Sequence, residues 1–476
     1  RMAASTHAPA TATPKAAALP TWDLRDLYPA IDSPKIERDL RLAAAAAAAF
    51  EKRYRGRLAR MPGDALALAI AAYEAMQDRI GRLQSYAGLV FAADMSDPRI
   101  GQFHQTVQER VTDLTTHLLF FALELNRIPD AGLKKKLTSK KLARYQPWLR
   151  DIRVFRKYQL DQPLEELLHE KSVSGRNAWI RLFEETIAGL RFPVDGKELT
   201  IAETTHLFAD KRPAVRRQAG ESLGAVLARN VRLFALITNT LAKDKEIEDR
   251  WRHLPNPEAG RHLHNQVEPE VVEALVGAVQ DAFPSLSHRY YRLKARWLGV
   301  KQLDWWDRSA PLPEEDDRYI PWGQARDTVL DSYRRFSPKL AAIGQKFFAR
   351  DWIDVGPRPG KSPGAFAHPT VPSAHPYLLL NYQGKTRDVM TLAHELGHGV
   401  HQVLAAKQGA LMADTPLTLA ETASVFGEQL TFRALLATAK PAGRRAMLAQ
   451  KVEDMLNTVV RQIAFFLFER RLHAER

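Results

Sequence analysis

From about residue 34 to 190, apolar residues recur at spacings of three and four, the period of an amphipathic helix. The pattern breaks at Pro62 and Gly63, at Ile128, Pro129 and Asp130, and at Gln146 and Pro147, which predicts several long helices joined by short turns. Asp32 or Ser33 is placed to cap the first of them, with Pro34 in its opening turn. Upstream, Trp22, Leu24, Leu27 and Tyr28 are suited to anchor the chain to a core, and VTDLTTHLLFFALEL (111–125) is apolar enough to lie inside one. LRFPVDGKELT at 190–200 reads as a short strand or hairpin, and marks the boundary between an N-terminal helical domain, 21–192, and a second domain, 193–476. Helical spacing then resumes to about 350, with loops expected at 253–260 and 303–317. A Gly/Pro-rich stretch follows, ending in the apolar run HPYLLLNY, which predicts a strand. The expected fold class is mainly α, with a small β-sheet next to a helix over 386–409.

That helix carries two stripes. Thr386 is expected to cap it, Asp388 to favour its N-terminal dipole and Gly409 to end it. Val389, Leu392, Leu396, Val400 and Val403 share one side; His394, His398 and His401 share the other. The chain has only 15 histidines, so three within HELGHGVH call for a chemical reason. Imidazoles four residues apart stand one turn from each other, so both can reach one zinc ion. Glu395 points to the flank, where a carboxylate can take a proton from an attacking water; this is the HExxH logic of metallopeptidases. Gly397 and Gly399 each cost the helix about 1 kcal/mol relative to alanine, and their expected use is close approach of a neighbouring element or substrate.

A zinc site needs a third protein ligand. His401 sits on the next turn of the same straight helix and cannot close a tetrahedron from there, though it can support the ligands. Leu404 stands where the metzincin pattern has a histidine, and Asp414 falls in an expected loop. Glu421 lies in a second helix, expected over 418–432 and packed by Leu419, Val425, Phe426 and Leu430, and is the favoured candidate. Glu428, seven residues on and on the same face, is an expected acceptor for a ligand imidazole.

Composition narrows the chemistry. With no cysteine, neither a disulfide framework nor a thiolate ligand is available, so a metal must be held by histidines and carboxylates. No apolar run approaches the roughly 18 residues of a membrane span. A net charge of +14, densest in KKKLTSKKLAR (134–144) and RDIRVFRK (150–157), raises the question of nucleic acid. No zinc-finger, RRM-like or helix-turn-helix signature accompanies it, and Leu133, Leu137 and Leu142 are spaced to bury one side. The charge therefore reads as a solvated helical face, with no nucleic-acid partner. Residues 1–20 are Ala/Pro/Thr-rich without the apolar core of a secretory signal, and are expected to be a flexible tail on a cytoplasmic protein. Arg1 preceding Met2 suggests a fragment or an interrupted reading.

HELGHGVH followed by LAETASVFGE resembles the oligoendopeptidase F branch of the thimet-oligopeptidase family of zinc peptidases. WDLRDLY, SYAGLVFAADMSDP (85–98), KSPGAFA (361–367) and AHPYLLLNY (374–382) are similar to that branch in the same order, so the resemblance spans 20–476. It implies a multi-helix metallopeptidase around a deep channel that admits short unfolded peptides. It also implies one Zn2+ per chain on His394, His398 and Glu421, with Glu395 as general base and Glu428 and His401 in support. By the same resemblance 374–382 would be the edge strand along which a peptide pairs, with Gly364, Ala365, His375 and Tyr377 as candidate contacts. For His375 and Tyr377, ordinary loop and strand packing is the competing reading. Family members continue well past the point where this chain stops, and that stretch supplies a histidine and tyrosines that bind substrate and support the oxyanion. The alternative expectation is therefore a relative that binds zinc and peptide but turns over poorly.

Overall fold

The computed structural model describes residues 19–312 and 319–475. The expected tail, up to residue 18, and the part of the expected 303–317 loop from residue 313 onward lie outside the described residues. Ser33, not Asp32, caps the first helix, Pro34–Tyr54: its hydroxyl accepts the Lys35 N–H, and Pro34 occupies the opening turn. Ile36, Leu40, Ala43, Ala47 and Phe50 form its buried face. The apolar 111–125 stretch is not one helix but the end of Pro98–Thr116 and the start of Leu119–Arg127. Phe120 and Phe121, at that restart, pack their rings 6.0 and 5.0 Å from Phe50. Around the basic 134–144 stretch, Leu133 and Leu142 are buried while Lys134, Lys135, Lys140 and Lys141 are exposed.

The 190–200 segment is the expected hairpin: β1 (Phe192–Val194) pairs antiparallel with β2 (Lys197–Leu199). Asp195 and Gly196 both take positive φ, as a two-residue turn matched to strand twist requires. A second sheet has three strands, β3 (Ile353–Asp354), β4 (Phe366–His368) and β5 (Tyr377–Leu379). β5 is its centre, parallel to β3 and antiparallel to β4. This corrects the expectation that 374–382 forms an edge: Tyr377, Leu378 and Leu379 have no solvent exposure, being covered on both faces and flanked on both sides. The edge nearest Gly364 and Ala365 belongs to β4.

The N-terminal segment is tied to this sheet. Val355 N–H donates to Pro20 O, Asp23 N–H to Asp351 O, and the Trp22 ring meets Tyr377 edge-on at 6.0 Å. One continuous buried core draws residues from Trp22 to Leu149 and from Ile320 to Val400. The early helices and the histidine-bearing helix thus share a core across the division expected at residue 193. Among the described residues, no helix is long and apolar enough to cross a membrane.

Candidate metal centre

The helix bearing HELGHGVH runs Thr386–Ala405, and a 3-10 turn leads to Gly409 at φ 89°. Its cap differs from expectation. Lys385, not Thr386, is the N-cap, and the Asp388 carboxylate reaches back to accept the backbone N–H groups of Gln383 and Lys385, both at 2.9 Å. Val389, Leu392, Leu396 and Val400 are buried on one side, which fixes the helix's rotation and turns His394 and His398 to the other.

The facing helix runs Leu417–Thr438, and its packing corrects the sequence expectation. Leu419 and Val425 are exposed; Phe426, also largely exposed, meets the Phe336 ring edge-on at 4.8 Å, and Leu430 reaches the core. Contact is made instead by Ser424, Gly427 and Thr431, all buried. A Cβ on Gly397 would stand 2.7 Å from Ala423 O and 2.8 Å from Ser424 Cα, so only glycine lets the two backbones approach this closely. Gly427 in turn lies against the Tyr333 hydroxyl, which donates to Ala393 O at 2.6 Å. Gly399 does the same job on another side, against the Phe347 ring. The apolar pattern pointed at the wrong residues because this seam is made of small side chains with little hydrophobic signature.

Close approach brings Glu421 to the histidines. Its Oε2 is 3.1 Å from His394 Nε2 and 3.3 Å from His398 Nε2, and the three ligand atoms all lie within 4.8 Å of one another. Tetrahedral zinc with bonds of about 2.0–2.1 Å separates its donors by roughly 3.3 Å, so two nitrogens and one carboxylate oxygen here suit that ion and leave a fourth position open. Ser424 Oγ donates to Glu421 Oε2 at 2.6 Å and steadies the carboxylate. His394 Nδ1 lies 3.3 Å from Glu428 Oε2, which fixes the tautomer and leaves Nε2 free to ligate. Lys451, from the long helix Pro441–Glu475, pairs with the other oxygen of Glu428. Nothing in the local sequence around Lys451 signalled this role.

Electrostatics separate the groups. Burial pushes the Glu395 carboxyl up to about 7, with His394 opposing and Glu421 reinforcing the shift. Burial also disfavours a charged His394, yet its hydrogen bond to Glu428 and the charges of Glu395 and Glu421 prevail and raise its pKa. For His398 burial prevails over Glu421, and the pKa falls. Glu428 shows the reverse balance: burial would raise it, but His394 and Lys451 hold it below the usual carboxylate range.

His394, Glu395 and Glu428 line a cavity of about 950 Å³. Gly364 and Ala365 line it too. His375 and Tyr377 are not among its lining residues, and the structure places both in ordinary strand and loop packing. The His375 ring stacks on Trp352 at 3.7 Å with Nε2 2.8 Å from Asp26 Oδ2, and Tyr377 donates its hydroxyl to Asp23 O. Both are spent on holding the N-terminal segment. His401 is outside the His394–His398–Glu421 group, and among the described residues makes no hydrogen bond to it.

Comparison with known proteins identifies the family and the fold. Residues 209–476 match Peptidase family M3, and residues 124–192 match Oligopeptidase F. Oligopeptidase PepF of Bacillus subtilis is 25% identical over 472 residues, covering 96% of this chain and 68% of its own length. An oligoendopeptidase F homolog of Lactococcus lactis is 27% identical over 285 residues, covering 58% of this chain. That match takes in 46% of the relative, so the chain spans about half of this protein and two thirds of the other. The solved oligoendopeptidase-F of Enterococcus faecium shares the fold, with TM-score 0.66 at 20% identity over 93% of this chain and 75% of that one.

Proposed function

We propose, from the premise that this chain belongs to peptidase family M3, that it is a zinc-dependent endopeptidase of short unfolded oligopeptides. The observation that supports it most directly is the convergence of His394, His398 and Glu421 beside the raised-pKa carboxyl of Glu395. His394, His398 and Glu421 would hold a zinc ion, which would supply Lewis-acid polarisation of the scissile carbonyl and of the attacking water. Glu395 takes the proton from that water and carries it to the leaving amine, a task for which a carboxyl titrating near 7 is suited. Glu428, braced by Lys451, orients the His394 ring. Gly364 and Ala365, which lead into the edge strand β4, line the cavity, where an extended peptide would lie along the strand with little demand on side-chain identity.

Hydrolysis of an internally quenched peptide, with and without chelator, tests the reading. Chelator-sensitive cleavage is expected, with Glu395→Gln slower by about a hundredfold or more, and about one zinc per chain that is lost in His398→Ala. Cleavage that survives both chelator and Glu395→Gln defeats the proposal. Zinc and peptide binding without turnover replaces the enzyme by a peptide-binding relative.

A further inference from the structure

The cavity carries a group of arginines that the reaction above does not use. Arg387 lies on the HELGHGVH helix, Arg461 on Pro441–Glu475 and Arg308 just beyond the 3-10 turn Trp305–Asp307, and all three line the cavity. Among the described residues, none of the three side chains pairs with a carboxylate. Arg308 Nε is buried with no hydrogen-bond partner, and the Arg461 guanidinium lies 5.1 Å from the Phe465 ring. Burial and the nearby charges of Arg308 and Arg387 together lower the pKa of Arg461.

The acids nearby are engaged elsewhere. Glu453 is held by Lys294 and Tyr290, Glu428 by Lys451 and His394, and Asp388 by the backbone at its helix start. Asp454 feels Arg387 and Lys451, but burial raises its pKa, and one carboxyl does not balance three guanidinium groups. Cations brought together without counter-charge, one with an orphaned donor, form a site suited to an anion.

Its position relative to the metal ligands identifies that anion. Arg387 precedes His394 by seven residues on the same helical face, about 10 Å along the axis at 1.5 Å per residue. An extended peptide covers that span in about three residues at roughly 3.3 Å each. We propose that Arg308, Arg387 and Arg461 form a subsite for a substrate carboxylate, three residues from the scissile bond. The carboxylate is either an acidic side chain or the peptide's own C-terminus. This rests on the peptidase reading above.

The test reads binding, so it does not depend on turnover. Peptides of one neutral sequence, dye-labelled at the N-terminus, are prepared with a C-terminal amide, with a free C-terminal carboxylate, and as amides with one glutamate moved along the chain. Their affinity for the zinc-supplemented Glu395→Gln protein is measured by fluorescence anisotropy. The subsite predicts that a carboxylate at the right distance tightens binding about tenfold or more over the neutral amide, as a charge-assisted contact should. That ratio should fall to near one in Arg461→Gln and in Arg387→Gln, and shrink with added salt. Comparing the free-terminus and glutamate arms tells which source of carboxylate is used. Equal binding of amide and carboxylate peptides overturns the subsite, as does a preference that survives both variants with unchanged circular dichroism, or no binding of any peptide. Arg461, exposed on its helix, carries the test if Arg387→Gln does not fold. Loss of chelator-sensitive hydrolysis with the binding ratio intact would fault the peptidase reading alone.

Discussion

On the helix that supplies two candidate ligands, Leu392, Ala393 and Leu396 are wholly shielded from solvent. On the facing helix that supplies the third, Leu417 and Leu419 are 62% and 59% exposed. Farther along, Met455, Phe465 and Phe468 of Pro441–Glu475 are 58%, 51% and 65% exposed. One side of the centre is therefore fixed by a continuous core, the other by a narrow seam of small residues and a few polar contacts. The difference teaches that His394 and His398 are pre-positioned by folding, whereas Glu421 depends on how closely two backbones stay together. A bound ion would join a tightly packed region to a sparsely packed one, and mutations on the two sides should behave differently.

The largest contrast is expected from Leu396→Ala. Its side chain is fully buried, so truncation should cost about 2–5 kcal/mol in chemical denaturation. A loss under 1 kcal/mol would show that the histidine side is no better packed than its neighbour. Gly397→Ala strikes the seam itself. The added Cβ meets backbone rather than a flexible side chain, so the helices must part. Overpacking of this kind costs about 1–3 kcal/mol, and zinc affinity should fall along with stability because Glu421 moves with its helix. Unchanged zinc titration in this variant would break the link between close approach and ligation.

His368 on β4 tests the packed side by pH. Burial lowers its pKa from the ordinary 6.5 to about 4, and its Nε2 sits 3.0 Å from Ser85 Oγ. Since the folded pKa is depressed, its contribution to stability is present above pH 6.5 and lost as pH falls toward 4. Between pH 7 and pH 5 the wild-type protein should lose about 2 kcal/mol more than His368→Gln, read from urea midpoints at the two pH values. Parallel declines in the two proteins would mean that His368 protonates freely in the folded state. Glu428→Gln is a smaller change on the seam side. It keeps the shape but removes the charge that pairs with His394 and Lys451, and zinc affinity should drop about tenfold.

How much of this was legible in the sequence follows from the same contrast. Where hydrophobic periodicity does the packing, reading it was enough: Val389, Leu392, Leu396 and Val400 are buried as their spacing predicts, and the 190–200 hairpin turns on Asp195 and Gly196. Spacing within one helix also puts His394 and His398 on one face, with Glu395 at its flank. Where packing is done by glycine, serine and threonine, the pattern misleads: Leu419 and Val425 face solvent, and Ser424 and Gly427 make the close contact. Strand order misled too, because HPYLLLNY reads alike at the centre or edge of a sheet, and only pairing partners decide. Lys451 was invisible because its partner, Glu428, lies on a different helix and no periodicity connects them.

The smallest expected effect sharpens the comparison most. Leu419 is on the same helix as Glu421, two residues away, yet its side chain points to solvent. Replacing a largely exposed leucine by serine removes little buried area, so Leu419→Ser should shift stability by less than about 0.5 kcal/mol and leave zinc affinity unchanged. Set beside Leu396→Ala, this gives two leucines on facing helices with costs differing several-fold, and the difference measures the asymmetry directly. A loss above about 1 kcal/mol for Leu419→Ser, or a rise in its cost with protein concentration, would mean that this face is covered in solution. Glu421 would then be held by packing as firm as that behind the histidines, and the asymmetry would disappear.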